Sequence, residues 1–362
     1  MSHFETPSDL VQIPIVWRYE LLKYFRSWRL IASVGISAVV LALIFFLPPA
    51  LSTPYSGSDA DKPLEVLSVG DTGGAVPYEY YAAINRTGVE VANMVVHLNG
   101  TVYPEDSWEL VYIGTQQGAS FIPAGVYAVV FSENVTGYEF TASYDWRISA
   151  QDYGSLNLNF ASILIIICAT FFAGDSIVGE YYNRTGYLIF PNPMKREVLF
   201  AGKFAASMTA GLIVVGLFYA GAAGFSMLAA GGIDGDMGAS FLFAAEYLLA
   251  ATAIGYLISA VMKGSTGAIV LTFLLLFLLL PIVDMISIFT GVKISASLTF
   301  AAGVLIYVLY DPYPVDVTQN VMGYEFSSFY PDVTVSVIVM LAYTVAAVAI
   351  SLILFKRKQL SG

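Results

Sequence analysis

Six stretches of this chain are apolar for long enough to cross a lipid bilayer as helices, and no other feature constrains the fold as much. A helix rises about 1.5 Å per residue, so about 20 apolar residues cover the roughly 30 Å hydrocarbon core. The windows are residues 30–47, closed by Pro48-Pro49; 160–173, which Leu156 and Leu158 extend backwards; 204–230; 241–262; 268–289; and 333–355. A further apolar stretch, residues 298–310, is too short to cross unaided. Only 12% of residues are charged and 57% are hydrophobic, against about a quarter charged in soluble domains. A soluble enzyme and a disordered chain are both excluded. The basic residues before the first window precede a full-length span with no small-residue cleavage pattern, so this segment reads as no cleavable signal.

The placement of lysine and arginine predicts the orientation, because basic residues gather on cytoplasmic loops. Arg18, Lys23, Arg26 and Arg29 precede span one. Arg184, Lys195, Arg196 and Lys203 fall between spans two and three, Lys263 between four and five, and Lys356, Arg357 and Lys358 after span six. Both termini are therefore expected in the cytoplasm, which requires an even number of spans. Residues 298–310 then belong to a re-entrant or interfacial element on the outer side, within residues 291–332. The net charge of −11 is also localised: residues 52–154 hold thirteen carboxylates against three basic residues.

That acidic region, residues 52–155, is expected to form a small extracytoplasmic domain with a β pattern. Tyr78 to Ile84 and Val91 to Leu98 are rich in aromatic and β-branched residues. Asn99-Gly100, between Leu98 and Thr101, is a strong hairpin signal. Further runs at residues 108–113, 126–131 and 138–146 complete the pattern of an antiparallel sandwich. Asn85, Asn99 and Asn134 each open an Asn-x-Thr sequon and are candidate glycosylation acceptors, a weak signal for so short a motif. The expected fold is thus an α-helical polytopic membrane protein of six transmembrane helices, with an inserted all-β domain between spans one and two.

Chemistry-bearing clusters are scarce. The one cysteine, Cys168, lies in an apolar run, and the two histidines, His3 and His97, are far apart, so neither a disulfide framework nor a zinc site is expected. No Gly-x-x-x-x-Gly-Lys-Ser/Thr is present, because Met262-Lys263-Gly264-Ser265-Thr266 lacks the upstream glycine. Glu246, five residues inside span four, reads as a side chain reaching for the outer interface.

Two stretches carry more. Residues 1–29 end in an amphipathic segment in which Arg18, Lys23 and Arg26 fall on one helical arc, with Trp17 and Trp28 among the apolar remainder, the pattern of a helix in the headgroup plane. Residues 175–203 form a loop with an apolar patch, Tyr187-Leu188-Ile189-Phe190, bracketed by charge and closed by Pro191 and Pro193. Apolar residues on a cytoplasmic loop usually have a protein to bury them. The order Glu180, Arg184, Gly186, an apolar run, Pro191 or Pro193, Arg196, Gly202 and Lys203 resembles the type-2 ABC exporter permeases. One departure is Tyr187, where a threonine would follow the glycine.

What the resemblance implies is a coupling segment comprising Glu180, Tyr181, Arg184, Gly186, Tyr187, Leu188, Phe190, Pro193 and Arg196. This segment would contact a separate ATPase that binds ATP and Mg. It implies two such ATPase subunits, a second permease copy (identical or related), a lipid membrane and no nucleic acid. It implies no cofactor or catalytic residue in this chain, which would be a permease subunit of the plasma membrane of a prokaryote. A competing reading is a mechanotransmitter or sensor that works the outer β domain without transport. A third, an envelope protein using that domain for adhesion, does not explain the apolar loop.

Overall fold

A computed structural model of the chain describes residues 9–51, 54–68, 80–117, 123–135, 137–182, 194–321 and 324–357. Among them six helices are long and apolar enough to cross a membrane, with a β region between the first and second. The first helix, α1 (Asp9–Phe25), is amphipathic and too polar to span. Ser27 breaks the chain and caps α2 (Trp28–Ala50), its Oγ accepting the Arg29 N–H at 3.1 Å. Trp28, assigned from the sequence to the elbow helix, therefore belongs to the first span.

Span two is longer than its apolar window. The helix α3 (Ala150–Ala173) starts where Ser149 accepts the Asp152 N–H, a cap that lies outside the hydrophobic run. A turn then leads into α4 (Val178–Tyr182). Spans three and four are α5 (Arg196–Ala229) and α6 (Met237–Val261). Span five is α7 (Ser265–Leu274), a π-helical turn over Leu275–Leu279, and α8 (Leu280–Thr290). Pro281 supplies no N–H and its ring crowds the Phe277 carbonyl, so the helix widens ahead of it. Two short helices, α9 (Leu298–Ala302) and α10 (Val304–Tyr307), precede the last span, α11 (Val333–Arg357).

The β region is a pair of four-stranded antiparallel sheets. One has the order β1 (Ser56–Leu64), β8 (Phe140–Ile148), β4 (Val89–Leu98), β5 (Thr101–Val102). The other runs β2 (Leu67–Ser68), β3 (Tyr80–Thr87), β7 (Pro123–Phe131), β6 (Trp108–Gln117). Between them lie Ala82, Ile84, Val96, Val129, Phe131, Phe140 and Ala142, all nearly or fully buried. Asn99 and Gly100 take φ of 51° and 82°, the doubly left-handed turn that joins β4 to β5. The strand β1 escaped the sequence reading because Ser56–Leu64 is polar at almost every position, as an edge strand can be. A hairpin of β9 (Val317–Val321) and β10 (Tyr324–Ser328) was likewise not foreseen.

Core packing places both described ends of the chain at one end of the bundle. α1 lies along the first turns of α5, and the end of α11 meets Arg196 at the start of α5. The sandwich, α9 and α10 lie at the opposite end: the Leu305 carbonyl accepts the Ser240 hydroxyl near the start of α6, and β8 passes into α3 through Ser149 alone.

Candidate functional site

At the end of the bundle that carries α1, three charged side chains close around one buried ammonium. Lys203 sits in the third turn of α5 and is 3% exposed. Its Nζ donates to Glu180 Oε1 of α4 at 2.6 Å and to Glu20 Oε1 of α1 at 2.8 Å. Lys23, at the exposed rim, lies 3.4 Å from Glu20 and 3.9 Å from Glu180. Two cations thus meet two anions, which is the balance a low-dielectric site requires. Helix α1 comes this close because Gly202 lacks a side chain: a Cβ there would sit 2.6 Å from Val16 Cβ.

A second ion pair lies one turn away. Arg29, at the start of α2, binds Asp175 through two hydrogen bonds of 2.7 Å, a fork geometry that fixes orientation as well as distance. Ser265, at the start of α7, donates to the same carboxylate at 3.0 Å. Asp175 is in the turn between α3 and α4, so this contact ties three spans at one point.

Hydroxyl groups fill the space between the two pairs. The Phe172 carbonyl, freed by the end of α3, accepts from Tyr24 at 2.7 Å, Ser176 at 2.6 Å and Ser207 at 2.8 Å. Ser207 also meets the Tyr256 hydroxyl of α6 at 3.0 Å. Ser259 accepts the N–H groups of Ile177 and Val178, the donors that the turn leaves unpaired. Burial pushes the Tyr24 phenol above its ordinary range, so it stays a neutral donor. Both ion pairs, with Tyr24 and Ser176, line a cleft of ≈ 470 Å³ between α1, α2 and α4.

The residues singled out in the sequence divide among different surroundings. Glu180, expected at a subunit interface, is buried within the chain, where it shares the Lys203 ammonium with Glu20. Arg196 donates to the Phe355 and Lys356 carbonyls at 3.2 and 2.9 Å, capping the end of α11. Tyr181 packs edge-on against Phe355. Arg184, Gly186, Tyr187, Leu188, Phe190 and Pro193 lie outside the described residues. In α1, Trp17 donates to Thr209 at 3.0 Å and Arg18 is exposed, as is Arg26 just past the helix end. The expected split of α1 into a basic arc and an apolar remainder is redrawn: Arg18 and Arg26 share the outward face with Val11, Ile15, Leu22 and Phe25, while Glu20 and Tyr24 face inward.

Asn99 and Asn134 are exposed, at the β4–β5 turn and after β7, and Asn85 lies on β3. Glu246 keeps one carboxylate oxygen buried with no hydrogen-bond partner among the described residues. The sequence reading missed Glu20, Tyr24 and Ser207 as site residues. An acid set between Arg18 and Lys23 and a lone lysine in an apolar helix, Glu20 and Lys203, were the available signal.

A family model described as "ABC-2 family transporter protein" matches residues 15–360. No curated protein matches the chain.

Proposed function

The chain belongs to the ABC-2 transporter family and is a multi-pass membrane permease of the ABC type; on that premise we propose that it couples ATP hydrolysis on a separate ATPase to export of a substrate. The carrying observation is the Lys203 node. Residues 183–193, between α4 and α5, carry the apolar patch expected to dock the ATPase. Both helices that flank this segment meet at one ammonium: Glu180 in the middle of α4 binds Lys203 in the third turn of α5. Glu20 adds α1 to the same charge. A displacement imposed on residues 183–193 therefore moves α1 with α4 and α5, and through Arg29 and Asp175 it reaches spans one, two and five.

In this reading the ends of the chain face the cytoplasm of a prokaryotic cell, the sandwich lies outside, and two permease copies, identical or related, work with two ATPase subunits. ATP and Mg bind the partner alone. Substitution of Lys203 by glutamine in the complex tests the reading: ATPase subunits should still co-purify, and substrate-stimulated hydrolysis should fall. Unchanged stimulation in a folded variant would remove Lys203 from the coupling path.

A second reading, mechanotransmission to the outer domain without transport, has its own support. Gly88, between β3 and β4, takes φ of 71°, and a Cβ there would sit 2.8 Å from the Asp152 carboxyl carbon at the start of α3. The Gly88 carbonyl accepts the Ser149 N–H at 2.9 Å. The sandwich is thereby fastened to span two, whose far end holds Asp175. Vesicle transport assays separate the two readings: flux supports export, while hydrolysis with motion of the sandwich and no flux supports mechanotransmission.

A further inference from the structure

We propose that the outward face of α1 is a binding surface for acidic phospholipid, held in the leaflet at the end of the bundle that carries the Lys203 node. Helix α1 packs sideways against the first turns of α5, a membrane-crossing helix, so its other side looks along the bilayer rather than into the protein. That side is apolar and uncovered: Val11 is 54% exposed, Ile15 48%, Leu22 43% and Phe25 49%. A surface facing water would not leave such a run of apolar side chains uncovered, whereas a helix lying in the headgroup boundary requires it.

Charge selects the lipid. Arg18 and Leu22 lie on α1 at i and i+4, and Arg26, just past its end, donates its N–H to the Leu22 carbonyl at 3.1 Å, so the two arginines follow one side of the helix roughly 12 Å apart along the axis. Both are exposed, and among the described residues neither has an ion-pair partner. Arg29, Lys203 and Lys356, at the same end of the bundle, are all paired within the chain. Two unpaired cations on an apolar stripe match phosphate groups above acyl chains. Beside the stripe, a groove of ≈ 260 Å³ runs between α1 and the start of α5, walled by Ile15, Val16, Tyr19, Met194 and Leu199 with Gln12 and Glu20 also on its lining, and its apolar wall can seat part of an acyl chain.

The opposite face of the same helix supplies Glu20 and Tyr24 to the node. Lipid held by Arg18 and Arg26 thus fixes the helix that positions Lys203. The binding surface itself does not depend on the ATPase reading, since it is argued from α1 alone.

The test uses the full chain in nanodiscs of phosphatidylcholine and phosphatidylglycerol, with spin-labelled probes of each lipid reporting relative association. Wild-type protein should prefer phosphatidylglycerol, and R18Q and R26Q should each weaken that preference about fivefold. The pair R18K/R26K should retain most of it, and a normal thermal midpoint in the glutamine variants shows that the loss is not unfolding. Equal preference in wild type and R18Q/R26Q would overturn the proposal. So would loss of a co-purifying ATPase in that variant with lipid preference intact, which would assign the face to the protein partner.

Discussion

The Lys203 ammonium lies 2.6 Å from the Glu180 carboxylate, and the pair joins the two helices on either side of residues 183–193. Removing one member of a buried pair leaves the other uncompensated, which usually costs about 3–5 kcal/mol. Lys203→Met should therefore lower the thermal midpoint of the purified chain sharply, because it leaves Glu180 and Glu20 with only the exposed Lys23 between them. Lys203→Met combined with Glu20→Gln and Glu180→Gln should recover much of the loss. Thermal unfolding followed by size-exclusion fluorescence reads both, and a single variant as stable as wild type would contradict the burial of this charge.

The two described ends of span two are held differently, and each end can be loosened alone. Gly88→Ala places a Cβ against Asp152 at a left-handed φ, a strain of order 1–3 kcal/mol. Hydrogen exchange should then quicken around the β3–β4 turn and the first turn of α3, while the Arg29–Asp175 end stays protected. Equal loosening at both ends would mean that the sandwich is not fastened where Gly88 meets Asp152.

Acid should break the Asp59 bridge of the sandwich only at low pH. Arg86 on β3 donates to Asp59 on β1 at 2.5 and 3.1 Å, bridging the two sheets, and lies 3.8 Å above the Trp146 ring. The hydrogen-bonded guanidinium holds the Asp59 carboxyl below its ordinary range. A lowered carboxyl pKa adds stability that is complete above the unfolded value, about 3.9, and disappears as pH falls through the folded value beneath it. In a background with Trp17, Trp28 and Trp108 replaced by phenylalanine, Trp146 emission should hold steady to about pH 4 and shift only below it. Asp59→Asn should show the shifted emission at neutral pH. A titration centred near neutrality would contradict the assignment.

The membrane spans and the β insertion were legible in the sequence because each rests on a local pattern: apolar length for the helices, Asn-Gly and aromatic alternation for the strands. The node was not. Glu20, Lys203 and Glu180 are spread over three helices, and only packing brings them together. Span two was cut short because its cap, Ser149-x-x-Asp152, and its first turns are polar, with Asn157 buried behind Tyr153. Arg29 read as one more basic residue of the elbow, since nothing local announces a partner at Asp175.

Arg196 caps α11 within the chain, which adds to what its substitution reports. Arg196→Ala frees the Phe355 and Lys356 carbonyls and should fray the last turn of α11, costing roughly 1 kcal/mol. Arg196→Lys should restore part of it. Faster hydrogen exchange at residues 353–357 in the alanine variant is the expected readout, and unchanged exchange there would show that the cap does not hold this helix end.

The most direct measurement is purification of the full chain from its native membrane in mild detergent, with the associated proteins identified and ATP hydrolysis assayed. The coupling account predicts a soluble ATPase in stoichiometric amount, lost when Tyr187, Leu188, Ile189 and Phe190 are all replaced by serine. A chain that emerges without an ATPase, or an ATPase that stays bound after that replacement, would contradict it.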